Sequence, residues 1–353
     1  MTSDNPGSGE ERDLPGNEPF APDGALRRTA LTGGFIWVVC ASASLGGLVQ
    51  GYGLIELLLL FGPLVAVPGG LSMVAGSGGA GRRRVEGLVA RLLLPAALCA
   101  MVARWSAPGL EPAPSEPIDY LSAGLSLPWL LVTALVALLG LQRILKRGLA
   151  PIEETAIDAG LLYLPVGGGW LVLSSAGLAP MDFSPEIVLL TAVHFHFAGF
   201  SAAVIAGLAG RALKTGTTVA DSVHPVVPGA YRIAAAIVII GPPLVAVGIM
   251  GSPIIEVISG IALSVGMLLL AFLLVLVGLS GHGLLPKLLL CVAALSLTAT
   301  MALSMTYATG EYREEELISI ATMVATHGVV NVLGFTLCGG LGLVLLLRGR
   351  DGQ

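Results

Sequence analysis

Charged residues are scarce in this chain, whose 353 residues include only 12% Asp, Glu, Lys and Arg. Soluble globular domains carry about twice that share. So few charges could not cover the surface of a water-soluble globule in which 55% of the residues are hydrophobic and the mean hydropathy is +0.88. The composition therefore excludes an ordinary soluble fold and indicates lipid as the main solvent.

Cysteine is also rare, and the usual catalytic and nucleotide-binding motifs are missing. Cys40, Cys99, Cys291 and Cys338 each stand alone in an apolar run, so their spacing predicts neither a zinc site nor a redox dithiol. The sequence contains no Walker, dinucleotide-binding or catalytic-triad pattern, and no HExxH zinc spacing. ATP-driven transport within this chain is therefore not expected.

What the chain has instead is a series of apolar runs of about 17–25 residues, the length that crosses a hydrocarbon core. Backbone groups in lipid must be satisfied within each run, which favours helices, and the alternation typical of barrel strands is absent. The fold class predicted is all-α, a polytopic transmembrane bundle of about ten helices. The predicted spans are 31–49, 53–75, 88–104, 123–142, 156–176, 187–210, 231–250, 254–279, 284–307 and 318–347.

The predicted domain organisation is simple. Residues 1–29 are rich in Asp, Glu, Pro, Gly and Ser and read as a disordered cytoplasmic tail. Residues 30–349 form the transmembrane domain, and 350–353 a short cytoplasmic tail. No separate soluble domain fits anywhere in the sequence.

The distribution of Lys and Arg predicts the orientation. With the N-terminus in the cytoplasm, only Arg104 and Arg313 of the 18 basic residues fall outside, which leaves 18 − 2 = 16 inside. Both ends are therefore expected to be cytoplasmic, in a prokaryotic plasma membrane. The outer connections lean acidic, and either ordinary solvated loops or a weak cation-attracting vestibule would explain that.

A short repeat admits two explanations. The sequence Pro-Leu-Val-Ala-Val occurs at 63–67 in the second helix and at 243–247 in the seventh. Those are corresponding, oppositely directed helices of two five-helix halves, as in transporters with inverted repeats. Chance is the alternative in a chain rich in Leu, Val and Ala.

Two histidines interrupt the sixth helix, and ionisable groups inside a membrane helix often mark functional sites. His194 and His196 are two residues apart, about 200° around a regular helix, so the two rings face opposite directions. His196 shares a stripe with Gly199 and Ala203, which predicts that it packs more deeply than His194.

The tenth helix carries His327 and Asn331, four residues apart and so on one face. His327 should lie at a depth similar to that of the other two histidines, toward the outer surface. Three imidazoles in one layer indicate a ligand, metal or proton site. The alternative is interhelical hydrogen bonding, for example from His196 to a backbone carbonyl or from His327 to Thr191.

Polar residues also occupy the fifth and second helices. Asp158 is predicted about 10 Å from the cytoplasmic side and Tyr163 near the midplane. Pro165 with the triplet 167–169 of glycines predicts a kinked or locally opened helix. Glu56 lies just inside the outer end of the second helix, where it could reach the interface.

At these residues the chain resembles the YndJ family of bacterial and archaeal membrane proteins. The motifs are His-Phe-His-Phe-Ala-Gly-Phe at 194–200 and Thr-His-Gly-Val-Val-Asn-Val-Leu-Gly-Phe at 326–335, with a consistent stretch from Asp158. Phe197 stands where many relatives have Tyr. The resemblance implies a multi-pass helical fold and a loose description as a transporter, without a substrate.

Three functional hypotheses follow. The first is transport or permeation, with Asp158 and the histidine layer as the inner and outer ends of a polar path for protons or cations. The second is a membrane enzyme or electron carrier with a transition metal or haem held by the three histidines. The third is a non-catalytic scaffold or sensor. The expected partners are the lipid bilayer and a small molecule or ion, with no nucleic acid; the oligomeric state is left open.

Overall fold

The computed structural model describes residues 22–48, 52–74, 80–107, 109–110, 117–215 and 226–351. Within those residues the chain is helical, without strands, and ten helices are long and apolar enough to span a membrane. The ten-helix prediction is confirmed. The helices are α1 Pro22–Leu45, α2 Leu54–Val74, α3 Ala80–Ser106, α4 Tyr120–Arg147, α5 Ile152–Ser175, α6 Pro185–Lys214, α7 Val226–Gly251, α8 Pro253–Ser280, α9 Leu284–Arg313 and α10 Ile320–Arg348.

The helices at the two ends of the chain reach into the predicted tails. α1 begins at Pro22, so residues 22–29 of the predicted N-terminal tail are helical, and the rest of that tail lies outside the described residues. The helical backbone that continues α10 ends at Asp351, inside the predicted C-terminal tail. A short polar stretch can extend a membrane helix beyond the hydrocarbon, because hydropathy locates the span and not the helix end.

Successive spans alternate in direction, which gives the bundle two distinct ends. We call the end at which the odd-numbered helices begin the basic end, and the opposite end, at which the even-numbered helices begin, the acidic end. Serines cap three helices at the acidic end: Ser184 accepts from the Ile187 amide in α6, and Ser252 and Ser319 cap α8 and α10 in the same way. Such caps satisfy amide groups that a helix start leaves without partners.

α2 and α6 form the centre of the bundle. Within their most apolar windows, 72% of α2 and 67% of α6 is buried, against 11% of α1. α6 packs against α2, α5, α7, α8 and α10. Glycines allow this packing: a Cβ on Gly207 of α6 would lie 2.5 Å from the Glu153 carbonyl oxygen, and one on Gly160 of α5 would lie 3.0 Å from that of Phe200.

Three even-numbered helices contain π-helical segments at Gly62–Ala66 in α2, Phe195–Ser201 in α6, and Val324–Gly328 and Val330–Cys338 in α10. In α2 and α6 the segment starts about 12–15 Å below the helix start. Pro63 lacks an amide donor, which explains the interruption in α2. The α6 segment contacts those of α2 and α10, so the irregular backbone of three helices meets inside the bundle.

α5, by contrast, is a continuous α-helix through Pro165 and its three glycines, so the predicted opening of this helix is wrong. Two of these glycines serve close packing instead. A Cβ on Gly167 would lie 2.8 Å from His196 Nδ1, and one on Gly168 would lie 2.7 Å from Thr133 Oγ1.

The two copies of Pro-Leu-Val-Ala-Val occupy different environments. The copy at 63–67 overlaps the π-helical segment of the most buried helix. The copy at 243–247 lies in the continuous helix α7, where Leu244 and Val247 are 46% and 50% exposed. These environments give the inverted repeat no support.

Candidate functional site in the membrane

His196 is fully buried, and both of its ring nitrogens are hydrogen-bonded. Nδ1 lies 2.7 Å from the Ala192 carbonyl oxygen, and the Trp129 indole Nε1 donates to His196 Nε2 at 3.0 Å. Because a carbonyl only accepts and an indole only donates, His196 is a neutral imidazole with its proton on Nδ1. His196 is the more deeply packed of the two α6 histidines, as predicted.

Neighbouring helices enclose the His196 ring. Trp129 of α4 lies nearly parallel to it, with 5.8 Å between ring centroids and 21° between planes. A Cβ on Gly62 of α2 would lie 3.2 Å from the ring, and Gly167 of α5 is equally close-packed. His196 therefore ties four helices together, and binding a metal or a proton at Nε2 would break its bond to Trp129.

His194 and His327 have a different hydrogen-bond pattern. His194, exposed on α6, places Nδ1 2.7 Å from the Leu190 carbonyl oxygen, and half-buried His327 places Nδ1 3.0 Å from that of Thr300 in α9. Each ring therefore carries its proton on Nδ1. No residue in the described part of the chain hydrogen-bonds the Nε2 of either ring.

The three predicted histidines do not form one cluster, because His196 has a separate set of partners. His194 and His327 are close enough to interact electrostatically. Thr300 links His327 to Asn331. Its hydroxyl donates to Asn331 Oδ1 at 3.0 Å, and its carbonyl oxygen accepts from His327 Nδ1. The alternative contact with Thr191 is not formed, since that hydroxyl donates to the Ile187 carbonyl of its own helix.

Carboxylates lie beyond this pair at the acidic end. Tyr307 of α9 lies against Glu311 and near Glu186 of α6 and Glu256 of α8. Glu256 and Glu311 are also close enough to repel each other. Three helices, α6, α8 and α9, thus each contribute a carboxylate at the acidic end. The two histidines lie nearer to this end of the bundle than to the basic end.

Asp158 lies at the basic end, fully buried, between two arginines of α4. Arg143 Nε donates to one carboxylate oxygen, and Arg147 Nη2 donates to the other at 2.8 Å. Arg143 and Arg147 are four residues apart and therefore share a face of α4. Asp158 is thus held by two cations.

The network around Asp158 extends to α6. Glu154 accepts from Arg143 at 2.6 Å and from Arg211 of α6 at 2.6 and 2.8 Å, and Glu153 pairs with Lys214. Sequence reasoning treated these cations only as topology signals. The signal that could have found the network is the matching i, i+4 spacing of two arginines in α4 and two acids in α5.

Glu56 is buried against α3 near the start of α2. Its carboxylate accepts from Arg104 Nη2 of α3 at 3.3 Å, and Arg104 Nη1 also lies 3.3 Å from the Ser174 carbonyl oxygen. Arg104, one of the two basic residues that departed from the charge partition, is therefore paired inside the bundle. The expectation that Glu56 reaches the membrane interface stays a prediction, and the structure adds that Arg104 compensates its charge.

Tyr163 connects α5 to α7. Its hydroxyl donates to the Ile239 carbonyl oxygen. Pro243, four residues after Ile239, has no amide proton and so cannot complete the helical hydrogen bond to that carbonyl. Tyr163 satisfies a backbone group that a proline leaves free, which is a structural role.

The described residues include no group of three or more His, Cys, Asp or Glu side chains placed to hold a metal ion. His194 and His327 would supply two nitrogen ligands, and zinc sites use at least three protein ligands. The arrangement is therefore better suited to proton transfer or to transient contact with a cation.

Comparisons with known proteins show a family likeness along most of the chain. A model of the YndJ-like protein family matches residues 57–335, which include both histidine motifs. The protein called "uncharacterized membrane protein YndJ" of Bacillus subtilis (strain 168) is 32% identical over 214 residues, which are 61% of this chain and 37% of that relative. The chain thus spans little more than a third of that relative's length. No solved structure matches the chain.

Proposed function

We propose that this chain, which belongs to the YndJ-like family of membrane proteins, transports protons or small cations across the membrane. The observation that carries the proposal is the pair of His194 and His327, whose Nε2 lone pairs are not engaged by any described residue. Imidazole gains and loses a proton near neutral pH and also ligates cations, so such a pair can receive either.

The surroundings of the pair support entry from the acidic end. Glu186, Glu256 and Glu311 come from three different helices and raise the local concentration of cations. A cation attracted there would next meet the two histidines, about two to three helical turns deeper, since eight residues separate Glu186 from His194 and eleven separate Glu311 from Thr300. Asn331 and Thr300 add oxygen ligands beside His327.

The π-helical segments support a path beyond the histidines. Transporters bind substrates where membrane helices are discontinuous, because irregular backbone there can face a ligand. In this chain three such helices meet, and Thr336 Oγ1 in the second π segment of α10 is buried without a hydrogen-bond partner among the described residues. We assign Thr336 as the next polar contact below Asn331.

The ion pairs at the basic end support a closed gate on that side. Asp158, Glu154 and Glu153 of α5 hold cations of α4 and α6, so these helices cannot separate without breaking several buried pairs. In this scheme Asp158 is a gating residue whose charge stays paired, and Tyr163 and Glu56 support helices rather than carry protons. His196 is a packing residue.

The same proposal includes an orientation, with the basic end in the cytoplasm of a prokaryotic cell and the acidic end outside, in accordance with the positive-inside tendency. Alkaline phosphatase inserted in the connection after Glu315 should be active, since the enzyme folds outside the cytoplasm, and an insertion after His282 should be inactive. The reverse pattern would contradict this orientation.

The transport function is tested with the full chain in liposomes that contain a pH-sensitive dye, with an imposed potassium diffusion potential, and in parallel with tracers for alkali and divalent cations. The wild type should show flux above empty liposomes. His194→Gln and His327→Gln should each lower it at least about tenfold, the scale of a lost proton-transfer group. His282→Gln, in an exposed turn, is the matched control and should leave flux unchanged.

A wild type without flux of protons or any tested cation would contradict the proposal. So would full flux in the double variant of His194 and His327. Equal loss in His282→Gln would show that the measured flux is a leak unrelated to the site.

A further inference from the structure

A cluster of arginines at the basic end has no role in the proposed transport path. Four of them are exposed on the first turns of α1 and α3, namely Arg27, Arg28, Arg83 and Arg84. Within the described part of the chain no carboxylate lies within ion-pair distance of these four. We call them the arginine patch.

The N-terminal turns of α1 and α3, which carry the two halves of the patch, lie close together. α1 and α3 both begin at the basic end and pack against each other. A small cleft of about 20 Å³ is lined by Leu26 of α1 and by Arg82 and Glu86 of α3. These lining residues are the chain neighbours of the patch arginines. Glu86, the acid nearest in sequence to the patch, is buried and paired with Arg82 at 2.7 Å.

Below the patch, α1 presents a continuous apolar stripe. Arg28 is followed at helical spacing by Leu31, Phe35 and Val39, which are 67%, 72% and 50% exposed. Residues three or four apart share a helix face, so the arginine stands at the head of an uncovered apolar column.

The same pattern recurs on α3. Arg84 is followed by Leu88 and Leu92 at intervals of four, and both leucines are exposed. Two neighbouring helices therefore each combine a cation at the membrane surface with apolar side chains that extend toward the midplane.

We propose that the arginine patch binds an anionic phospholipid, with its phosphate at Arg28 and Arg84 and its acyl chains along the two apolar stripes. The positive charge of the patch indicates an anionic headgroup, because several uncompensated cations attract anionic lipid at the cytoplasmic leaflet. The apolar stripes favour a lipid over a free anion, since acyl chains could pack along them and inorganic phosphate could not. The proposal is independent of whether the chain transports anything.

The test uses native mass spectrometry of the full chain in detergent with equal amounts of phosphatidylglycerol and phosphatidylcholine. The wild type should retain phosphatidylglycerol preferentially. The double variant R28Q/R84Q should weaken that retention about 30-fold, as expected for two arginines near the surface. The matched control R232Q/R348Q removes two exposed basic residues of α7 and α10 and should retain it within about twofold.

Two further measurements guard against misfolding and against simple anion binding. R28K/R84K keeps the charge and should retain most of the lipid, and R28Q/R84Q should melt in phosphatidylcholine at the wild-type temperature. Inorganic phosphate should not displace the phosphatidylglycerol. Equal retention of the two lipids by the wild type, equal loss in the control variant, or displacement by phosphate would overturn the proposal.

Discussion

The two ends of the bundle handle charge in opposite ways. At the basic end, buried Asp158 lies between Arg143 and Arg147, and neighbouring acids complete a network that joins α4, α5 and α6. At the acidic end, Glu256 and Glu311 lie close enough to repel each other, and His194 and His327 lie deeper on the same side, each with one ring nitrogen that no described residue hydrogen-bonds. The first arrangement holds helices together, and the second leaves charge available to a mobile cation.

The comparison also separates two histidines of one helix. Both ring nitrogens of His196 are hydrogen-bonded within the protein, and the ring packs between four helices. His194, two residues away, keeps one nitrogen available. An ionisable residue in a membrane helix is therefore a functional candidate only after its hydrogen-bond capacity has been accounted for.

The largest expected effect comes from removing charge at the basic end. Asp158→Asn leaves half-buried Arg147 without a carboxylate and buried Arg143 with Glu154 alone, so the free energy of unfolding should fall by about 3 kcal/mol. Thermal melting of the purified chain in detergent measures it. Glu315→Gln removes an exposed partner of Arg313 and should cost about 0–1 kcal/mol. Equal melting of the wild type and Asp158→Asn would refute the contrast between buried and exposed pairs.

An intermediate effect is expected beside His196. Gly167→Ala places a Cβ 2.8 Å from His196 Nδ1, and the ring is held by Trp129 and Ala192, so overpacking should cost about 1–3 kcal/mol in melting experiments. Gly169→Ala in the same helix meets no atom within 4 Å and should stabilise by about 0.5–1 kcal/mol. Changes of the same sign in the two variants would show that the ring does not fill this contact.

The smallest effect should be opposite in sign to that of Asp158. Glu311 lies near Glu256 and in the last turn of α9, where the helix dipole also disfavours negative charge. Glu311→Gln should therefore stabilise the chain by about 0.3–1 kcal/mol at low salt, with the gain reduced at high ionic strength. A melting temperature below that of the wild type would show that the acidic end is compensated by charges of its own.

Hydropathy located the ten spans well, because each apolar run must cross the bilayer regardless of its neighbours. The proline and glycine pattern, by contrast, misplaced the irregular backbone. Pro165 and the glycines predicted an irregular α5, whereas the π segments lie in α2, α6 and α10. A glycine supplies close packing as readily as flexibility, and the choice depends on which side chain fills the space.

Sequence reasoning predicted which way the histidines of the candidate site face, but it could not predict their hydrogen-bond partners. The spacing of His194 and His196 correctly indicated opposite faces, and the smaller neighbours of His196 indicated its deeper burial. Which histidine keeps a nitrogen available depends on Trp129, 67 residues away, and no local pattern predicts that partner. Arg104 was likewise counted only as a basic residue on the outer side, because its partner Glu56 lies in another helix.

The π-helical segments determine where the helices of this bundle can gain or lose a residue. Each holds more residues per turn than an α-helix, so a one-residue deletion between 62 and 66 would restore regular geometry while removing almost nothing chemically. The remainder of α2 would then keep its register, so Leu71 and Val74 would stay on the face they bury, whereas a one-residue deletion in the continuous helix α5 would turn all later residues by about 100°. One-residue deletions should therefore be tolerated better within these segments than in the regular helices of the bundle.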